Sequence, residues 1–459
     1  MKDLTQGSVT RHLLGMSAFM AMSMLSQTLY LLADLYWVGH LGKEAIAAVG
    51  VAGNLTMFVL AVTQMLGVGT TALIAQATGQ KDQPKAELVF NQSFMMSILV
   101  AIGLGVIGFA AINPYCNSLS ADAETARLAK SYMAWFLPAM LLQFPLVALG
   151  SALRATGIIK PTVGLQMLSV VINMVLAPLL IFGIGPLPKM GVTGAALASF
   201  IAILIADVML VMYFVKKFHY LKFRSSLLRP QMKIWGRLLH IGVPAGAEFI
   251  LLFVFILVVY GIIRGFGPAA QAGFGVGARV MQALFLPVVA LAFAVSPVVG
   301  QNFGGRQAAR VREAIYSAIA IASGLMTLLA LLAHFAPTPM IHAFSNDPAV
   351  IEFGREYLQI TALNFVAAGI VFTSSSVFQG LGNTWPPLFS SASRLFLFVL
   401  PAVILSHSPG FEIKQVWYLS VASQCIQAVV NLLLLRRELQ KKLKFGNLDD
   451  LAPGSAMAG

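Results

Sequence analysis

Displacing the chain by 225 residues along itself brings one set of landmarks onto another. Gly42 falls on Gly267, Gly50 on Gly275, Gln76 on Gln301 and Gly79 on Gly304. Further along, Ser120 falls on Ser345, Asp122 on Asp347, Tyr132 on Tyr357, Gly157 on Gly382 and Pro161 on Pro386. No gap is needed over more than a hundred residues. A constant offset of this kind marks a duplicated structural unit whose copies pack alike. Any fold proposed for one half must therefore also suit the other.

Hydropathy says what kind of unit was duplicated. Hydrophobic residues make up 58% of the chain, charged residues 10%, and the mean hydropathy is +0.83. Apolar stretches of eighteen or more residues recur throughout, each able to cross about 30 Å of hydrocarbon as a helix. We place spans at 12–38, 46–75, 88–111, 127–150, 161–183 and 192–215, then at 238–262, 271–299, 313–336, 354–378, 388–406 and 415–436. The expected fold is an all-α integral membrane protein of twelve transmembrane helices in two six-helix repeats. Its parts are an N-terminal bundle over 1–215, a basic linker over 216–237, a second bundle over 238–436, and a tail over 437–459 with a disordered end. An even helix count per repeat makes the two halves like-oriented. The polar start is short and the first apolar segment, Arg11 to Val38, is too long for a signal h-region, so it stays as a span.

Lys and Arg set the orientation. With the N-terminus inside, 21 of the 30 fall on the inner side and seven on the outer side, while Arg279 and Arg394 lie within helices. Both termini are expected in the cytoplasm, with the chain in a cell (inner or plasma) membrane. The net charge of +13 then lies opposite anionic headgroups, and nucleic acid is not expected as a partner. Cys116 and Cys425 are far apart in this topology, so neither a disulfide nor a metal site is expected. HExxH, nucleophile-elbow and P-loop patterns are lacking, which argues against an enzyme.

Ionisable groups inside the bilayer cost about 2.5–3.5 kcal/mol each on insertion scales, so the survivors are functional candidates. Of seventeen acids, Asp34, Asp207 and Glu248 lie well within spans. Asp34 follows Gln27 by seven residues and Tyr30 by four, which puts all three on one helical face. Burial disfavours the anion, so such a carboxyl suits the loading and unloading of a proton. Glu248 follows Gly242-Val243-Pro244-Ala245-Gly246-Ala247 in the seventh helix and is a second candidate acid. Asp207 is the weaker third. Arg279 and Arg394 are read as structural, snorkelling to helix ends. Paired repeats with intramembrane acids point to transport, since such repeats commonly enclose a shared pathway.

The residues also resemble a known family. Gln27 and Asp34 followed by Trp37-Val38-Gly39-His40-Leu41-Gly42 are similar to the first-helix signature of the multidrug and toxic compound extrusion (MATE) transporters. Gln76-Ala77-Thr78-Gly79 and Gln301-Asn302-Phe303-Gly304-Gly305 resemble that family's second- and eighth-helix endings. Leu153-Arg154-Ala155-Thr156-Gly157 with Lys160-Pro161, and Gln379-Gly380-Leu381-Gly382-Asn383-Thr384, resemble its inner loops. The resemblance runs from Arg11 to Arg437. It implies a V-shaped pair of bundles that exports organic, usually cationic, drugs in exchange for inward protons or sodium ions. In the DinF-like branch the first-helix aspartate couples, helped by polar residues of helices 5 and 6. Asn173 matches the helix 5 asparagine and Ser199 the helix 6 hydroxyl, but the usual helix 5 aspartate is Ala177 here. The NorM-like branch uses acids of helices 7 and 10, and helix 10 here has no carboxylate beyond Glu356 at its edge.

The expectation is therefore antiport by mutual exclusion. Asp34, Asn173, Ser199, Gln27 and Glu248 serve cation coupling, and Tyr30 with Asp34 contacts substrate. The coupling ion is a proton, with sodium as the alternative, and no further cofactor is expected. The substrates are small organic cations held by Met- and Phe-rich walls, the surrounding partner is the lipid bilayer, and the working unit is a monomer. The rival reading is a lipid or polysaccharide-precursor flippase, which would be expected to carry a cationic cavity.

Overall fold

The computed structural model describes residues 1–120, 122–185 and 188–444. The expected disordered end of the tail lies outside the described residues. Those residues form helices and turns, with no strand among them. The helices are α1 (Val9–Gly39), α2 (Lys43–Gly79), α3 (Gln83–Leu119), α4 (Ala123–Ala155), α5 (Lys160–Phe182), α6 (Val192–Lys216), α7 (Met232–Ile263), α8 (Pro268–Gly304) and α9 (Ala308–Phe335). After a short α10 (Pro337–His342) come α11 (Pro348–Thr361), α12 (Phe365–Gly380), α13 (Trp385–Ser406) and α14 (Ile413–Lys442). Among the described residues twelve stretches are long and apolar enough to span a bilayer, with Pro348–Gly380 counted as one. That stretch differs from the unbroken span expected over 354–378, because a 3-10 turn at Ala362–Asn364 separates α11 from α12. No proline stands there to announce the break.

The repeat landmarks acquire physical meaning as ends of helices. Asp122 caps α4, accepting hydrogen bonds from the Thr125 backbone N–H (2.7 Å) and hydroxyl (3.0 Å). Its twin Asp347 caps α11, accepting from the Ala349 N–H at 2.9 Å. These bonds satisfy backbone donors that a helix start leaves orphaned. Pro161 and Pro386 occupy the first turns of α5 and α13, where no backbone donor is missed. Lys81 and Arg306, also 225 apart, both take a left-handed φ (59° and 55°) at the turns after α2 and α8. The strained turn was thus duplicated along with the helices.

By contacts the chain divides into two compact units. The first holds Met1–Asp3, Leu14–Thr78 and Asp82–Val254, and the second holds Leu4–Leu13, Gly79–Lys81 and the chain from Phe255 onward. This division falls inside α7, not in the linker. In the first unit α6 packs on α4 and α5. Small residues allow close approach: Ala177, Ala195, Ala196 and Ala198 are buried together with Tyr132. A Cβ on Gly194 would stand 2.6 Å from the Leu180 carbonyl oxygen, so α5 and α6 touch at backbone distance. In the second unit the core centres on Trp417, which is stacked on Phe274 (5.8 Å between ring centres) and meets Tyr357 edge-on at 4.8 Å.

The linker is held down by one side of α3. The Gln83 amide donates to Tyr220 O (2.9 Å). Asn91 donates to Lys222 O (2.9 Å) and accepts from Arg224 N (3.0 Å). Gln92 donates to Leu227 O and to Arg229 O (2.7 Å) and accepts from Gln231 N (2.8 Å). Glu87, buried at its carboxylate, pairs with Arg224 Nε at 2.9 Å. In the same segment, burial pushes the Tyr220 phenol above its ordinary range.

Candidate functional site

The first unit gathers a polar cluster inside an otherwise apolar helix packing. Asp34 lies on α1, an uninterrupted 31-residue helix without proline, and is 8% exposed. Tyr132, rising from α4 and 1% exposed, is hydrogen-bonded to the Asp34 carboxyl. Tyr30 stands one turn before Asp34, close enough for the two to interact electrostatically. Asn173 on α5 is wholly buried, and its amide donates to the Tyr30 hydroxyl (3.2 Å) and to Ser199 Oγ on α6 (3.1 Å). The Tyr30 and Ser199 hydroxyls share a further hydrogen bond. Four helices thus contribute one network, α1, α4, α5 and α6.

Two acceptors in this network remain open. Asp34 Oδ1 and Asn173 Oδ1 are both buried without a hydrogen-bond partner. Buried acceptors of this kind are uncommon, and each unpaired one costs roughly 1–3 kcal/mol. A proton on the carboxyl converts one of its oxygens from acceptor to donor, and a ligand donor does the equivalent from outside. Either change would alter the hydrogen bonding of the cluster. Ala177, where the family usually carries an acid, is fully buried in the same packing. Its methyl group supplies no oxygen ligand.

The residues expected to act here divide. Asp34, Tyr30, Asn173 and Ser199 are brought together. Gln27, though on the same face of α1, is exposed and makes no hydrogen bond to the cluster among the described residues. Helical spacing gave its direction but not its neighbours. Glu248 stands half-buried on α7. Tyr132 was not foreseen as a site residue; its only sequence signal was its place as a repeat landmark opposite Tyr357. Asp207, on α6, is 7% exposed with both carboxyl oxygens unpartnered, and belongs to a separate part of the first unit's core. The two cysteines are free, Cys116 buried and Cys425 exposed.

Comparison with known proteins agrees with the doubled architecture. The MatE family model matches twice, over residues 20–179 and 244–404. The chain is 28% identical over 410 residues to a protein of Shewanella oneidensis named FAD transporter, covering 88% of this chain and 90% of the relative. It is 27% identical over 410 residues to the probable multidrug resistance protein YoeA of Bacillus subtilis, covering 88% and 89%. Among solved structures, a MOP superfamily transporter of Pyrococcus furiosus matches with a TM-score of 0.88 at 24% identity, covering 96% of this chain and 98% of the other. At that identity the likeness establishes the twelve-helix fold. Members of the matched family are multi-pass membrane transporters and not enzymes. The chain belongs to the MATE family.

Proposed function

We propose that this protein is a proton-coupled antiporter that expels organic cations, with Asp34 as the coupling site. The observation that carries the reading is the buried Asp34 carboxyl with one oxygen unpartnered, set among Tyr132, Tyr30, Asn173 and Ser199. With the site open to the outside, Asp34 takes a proton, loses its attraction for a cation, and releases the drug. The neutral acid then alters its bonding with Tyr132, and α1 repacks. Deprotonation toward the cytoplasm restores the anion and with it the affinity for the next cation. Occupancy by proton and by substrate is mutually exclusive, which is sufficient for exchange. The half-buried Tyr30 ring flanks the carboxyl, so it offers a bound cation an aromatic surface.

Protons are favoured over sodium because sodium requires several oxygen ligands, and Ala177 removes the carboxylate that would neighbour Asp34. The relatives' names, probable multidrug resistance protein and FAD transporter, support a broad organic substrate range. We further assign both termini to the cytoplasm, from the Lys and Arg count, and a monomer as the working unit. The test is efflux of a fluorescent cation from proteoliposomes, wild type against Asp34→Asn, under a pH gradient and then a sodium gradient. A pH-driven wild type with an inactive variant supports the reading. Normal transport by Asp34→Asn overturns the site, and sodium-driven transport overturns the ion.

A further inference from the structure

The α3 helix and the linker it clamps enclose a cavity of about 350 Å³, lined by Gln83, Pro84 and Glu87 on one side and by Arg224 and Leu227 on the other. That volume lies within the range of small-ligand sites, roughly 300–1,000 Å³. Gln83 and Pro84 open α3, and Leu227 ends a 3-10 turn over Ser225–Leu227. All five residues belong to the first unit. By the Lys and Arg count both walls stand on the inner side of the bilayer, one where α2 turns into α3 and the other where α6 runs on into the linker.

The charges of this cavity are separated in depth. Glu87 is 3% exposed and forms the buried side, whereas the Arg224 side chain, 57% exposed, stands at the mouth. One carboxylate oxygen, Oε2, holds Arg224 Nε at 2.9 Å, while Oε1 is buried with no hydrogen-bond partner. A buried carboxylate oxygen is costly to leave unpaired. Arg carries N–H donors beyond Nε, and among the described residues none of those on Arg224 meets an acceptor. A lone anion entering here would meet the Glu87 carboxylate, and a lone cation would meet the Arg224 guanidinium. A ligand that suits both leads with an N–H-bearing cation and trails an anion at the mouth. The exposed Lys222 and Arg229, on either side of Arg224 along the linker, add attraction for that anion. Ethanolamine phosphate has this order, a primary ammonium, two carbons and then the phosphate.

We propose that the cavity between α3 and the linker binds the ethanolamine phosphate headgroup of an inner-leaflet phospholipid, with the ammonium on Glu87 Oε1 and the phosphate on the Arg224 guanidinium. The bound lipid bridges α3 and the linker, adding to the clamp made by Gln83, Asn91 and Gln92. The proposal rests on the chain spanning a membrane, and not on proton coupling, on Asp34 or on the nature of the cargo.

The test is titration of the purified full-length protein in detergent with dioleoyl phosphatidylethanolamine, phosphatidylcholine and phosphatidylglycerol, read by native mass spectrometry. The wild type should take up its first ethanolamine lipid at least fivefold more tightly than either of the others. The choline headgroup lacks the N–H that Glu87 Oε1 requires, and the glycerol headgroup lacks the cation. Glu87→Gln keeps the shape and an oxygen for Arg224 but loses the charge, and should cut the preference over phosphatidylglycerol at least threefold. If Glu87→Gln does not yield folded protein, Leu227→Trp, which fills the cavity from its half-buried linker wall, should abolish both preferences and leave the Glu87–Arg224 pair in place. Soluble ethanolamine phosphate should compete only at concentrations at least a hundredfold above the lipid; competition at equal concentration would make this a site for a free ligand and overturn the lipid assignment. Equal uptake of the three lipids by the wild type, or a preference that survives these substitutions, overturns the proposal. A failure of pH-driven efflux would bear on the antiport reading alone, because these measurements involve no gradient.

Discussion

Trypsin sensitivity of the linker should depend on a single glutamine of α3. Gln92 makes three hydrogen bonds to the linker backbone, donating to Leu227 O and Arg229 O and accepting from Gln231 N. Gln92→Ala deletes all three. At a net of about 1 kcal/mol per neutral bond, the clamp loses roughly 3 kcal/mol. Freed backbone groups at the edge of the protein recover part of this by binding water, so about 1.5 kcal/mol is a floor. Since about 1.4 kcal/mol is tenfold in an equilibrium constant, the open population rises roughly 10- to 100-fold. Within the stretch 220–231 that α3 holds, the cleavable bonds follow Lys222 and Arg224, because the bond after Arg229 precedes Pro230. Where opening is fast relative to cleavage, the cutting rate follows the open population. Wild type and Gln92→Ala in detergent, sampled over a tryptic time course, should therefore differ by at least tenfold in the rate of splitting at 222–225. Asn91→Ala, which removes the bonds to Lys222 and Arg224, should behave alike. If both variants are cut within threefold of the wild-type rate, the linker is not clamped by α3 and the reasoning fails.

Other consequences follow from the same contacts. Asn173→Ala deletes the two hydrogen bonds of its amide, to the Tyr30 hydroxyl and to Ser199 Oγ, at a net cost of about 2 kcal/mol, so it should lower the melting temperature and cut pH-driven efflux at least tenfold; an unaltered efflux rate would remove Asn173 from the site. Gly242→Ala drives a methyl group into the Met65 carbonyl of α2, whereas Gly53 faces open space; the former should lose about 1–3 kcal/mol and the latter nearly nothing, as read by thermal denaturation in detergent. The Thr125 backbone and hydroxyl hold the Asp122 carboxylate below its ordinary range. A depressed folded value means stabilisation that is present above the unfolded carboxylate range, near pH 4, and lost as the pH falls through the folded value. Asp122→Ala should accordingly melt below wild type at pH 7, with the gap closing under acid; a gap that widens in acid would contradict the capping assignment.

The parts of the site differ in how visible they were in the sequence. Asp34 was visible because a carboxylate in a run of apolar residues is expensive, and Tyr30 because four residues make one helical turn. Asn173 and Ser199 were reached only through family resemblance, since an asparagine or serine in a membrane helix carries little cost by itself. Tyr132 was missed as a partner: nothing along α4 distinguishes it from any buried aromatic residue until α4 is set against α1. Gln27 shares the helical face of Asp34 but is exposed, which spacing along the helix does not reveal. For Arg394, distance along the chain to a helix end does not reveal an aromatic ring 4.7 Å from its guanidinium.

The sequence by itself determined the twelve spans, the duplication, and the turns and caps that repeat with it, down to Asp122 with Asp347 and Lys81 with Arg306. These features follow from hydropathy and backbone preference, which act over a few neighbouring residues and are written in order along the chain. The tertiary structure alone decided which polar groups meet: Tyr132 with Asp34, Asn173 with Tyr30 and Ser199, the α3 side chains with the linker, and Arg394 with Phe255. Those meetings depend on how helices pack face to face. Packing is set by the combined shape of many side chains, such as the alanines and Gly194 that let α5 and α6 approach, and no single stretch of sequence records the result.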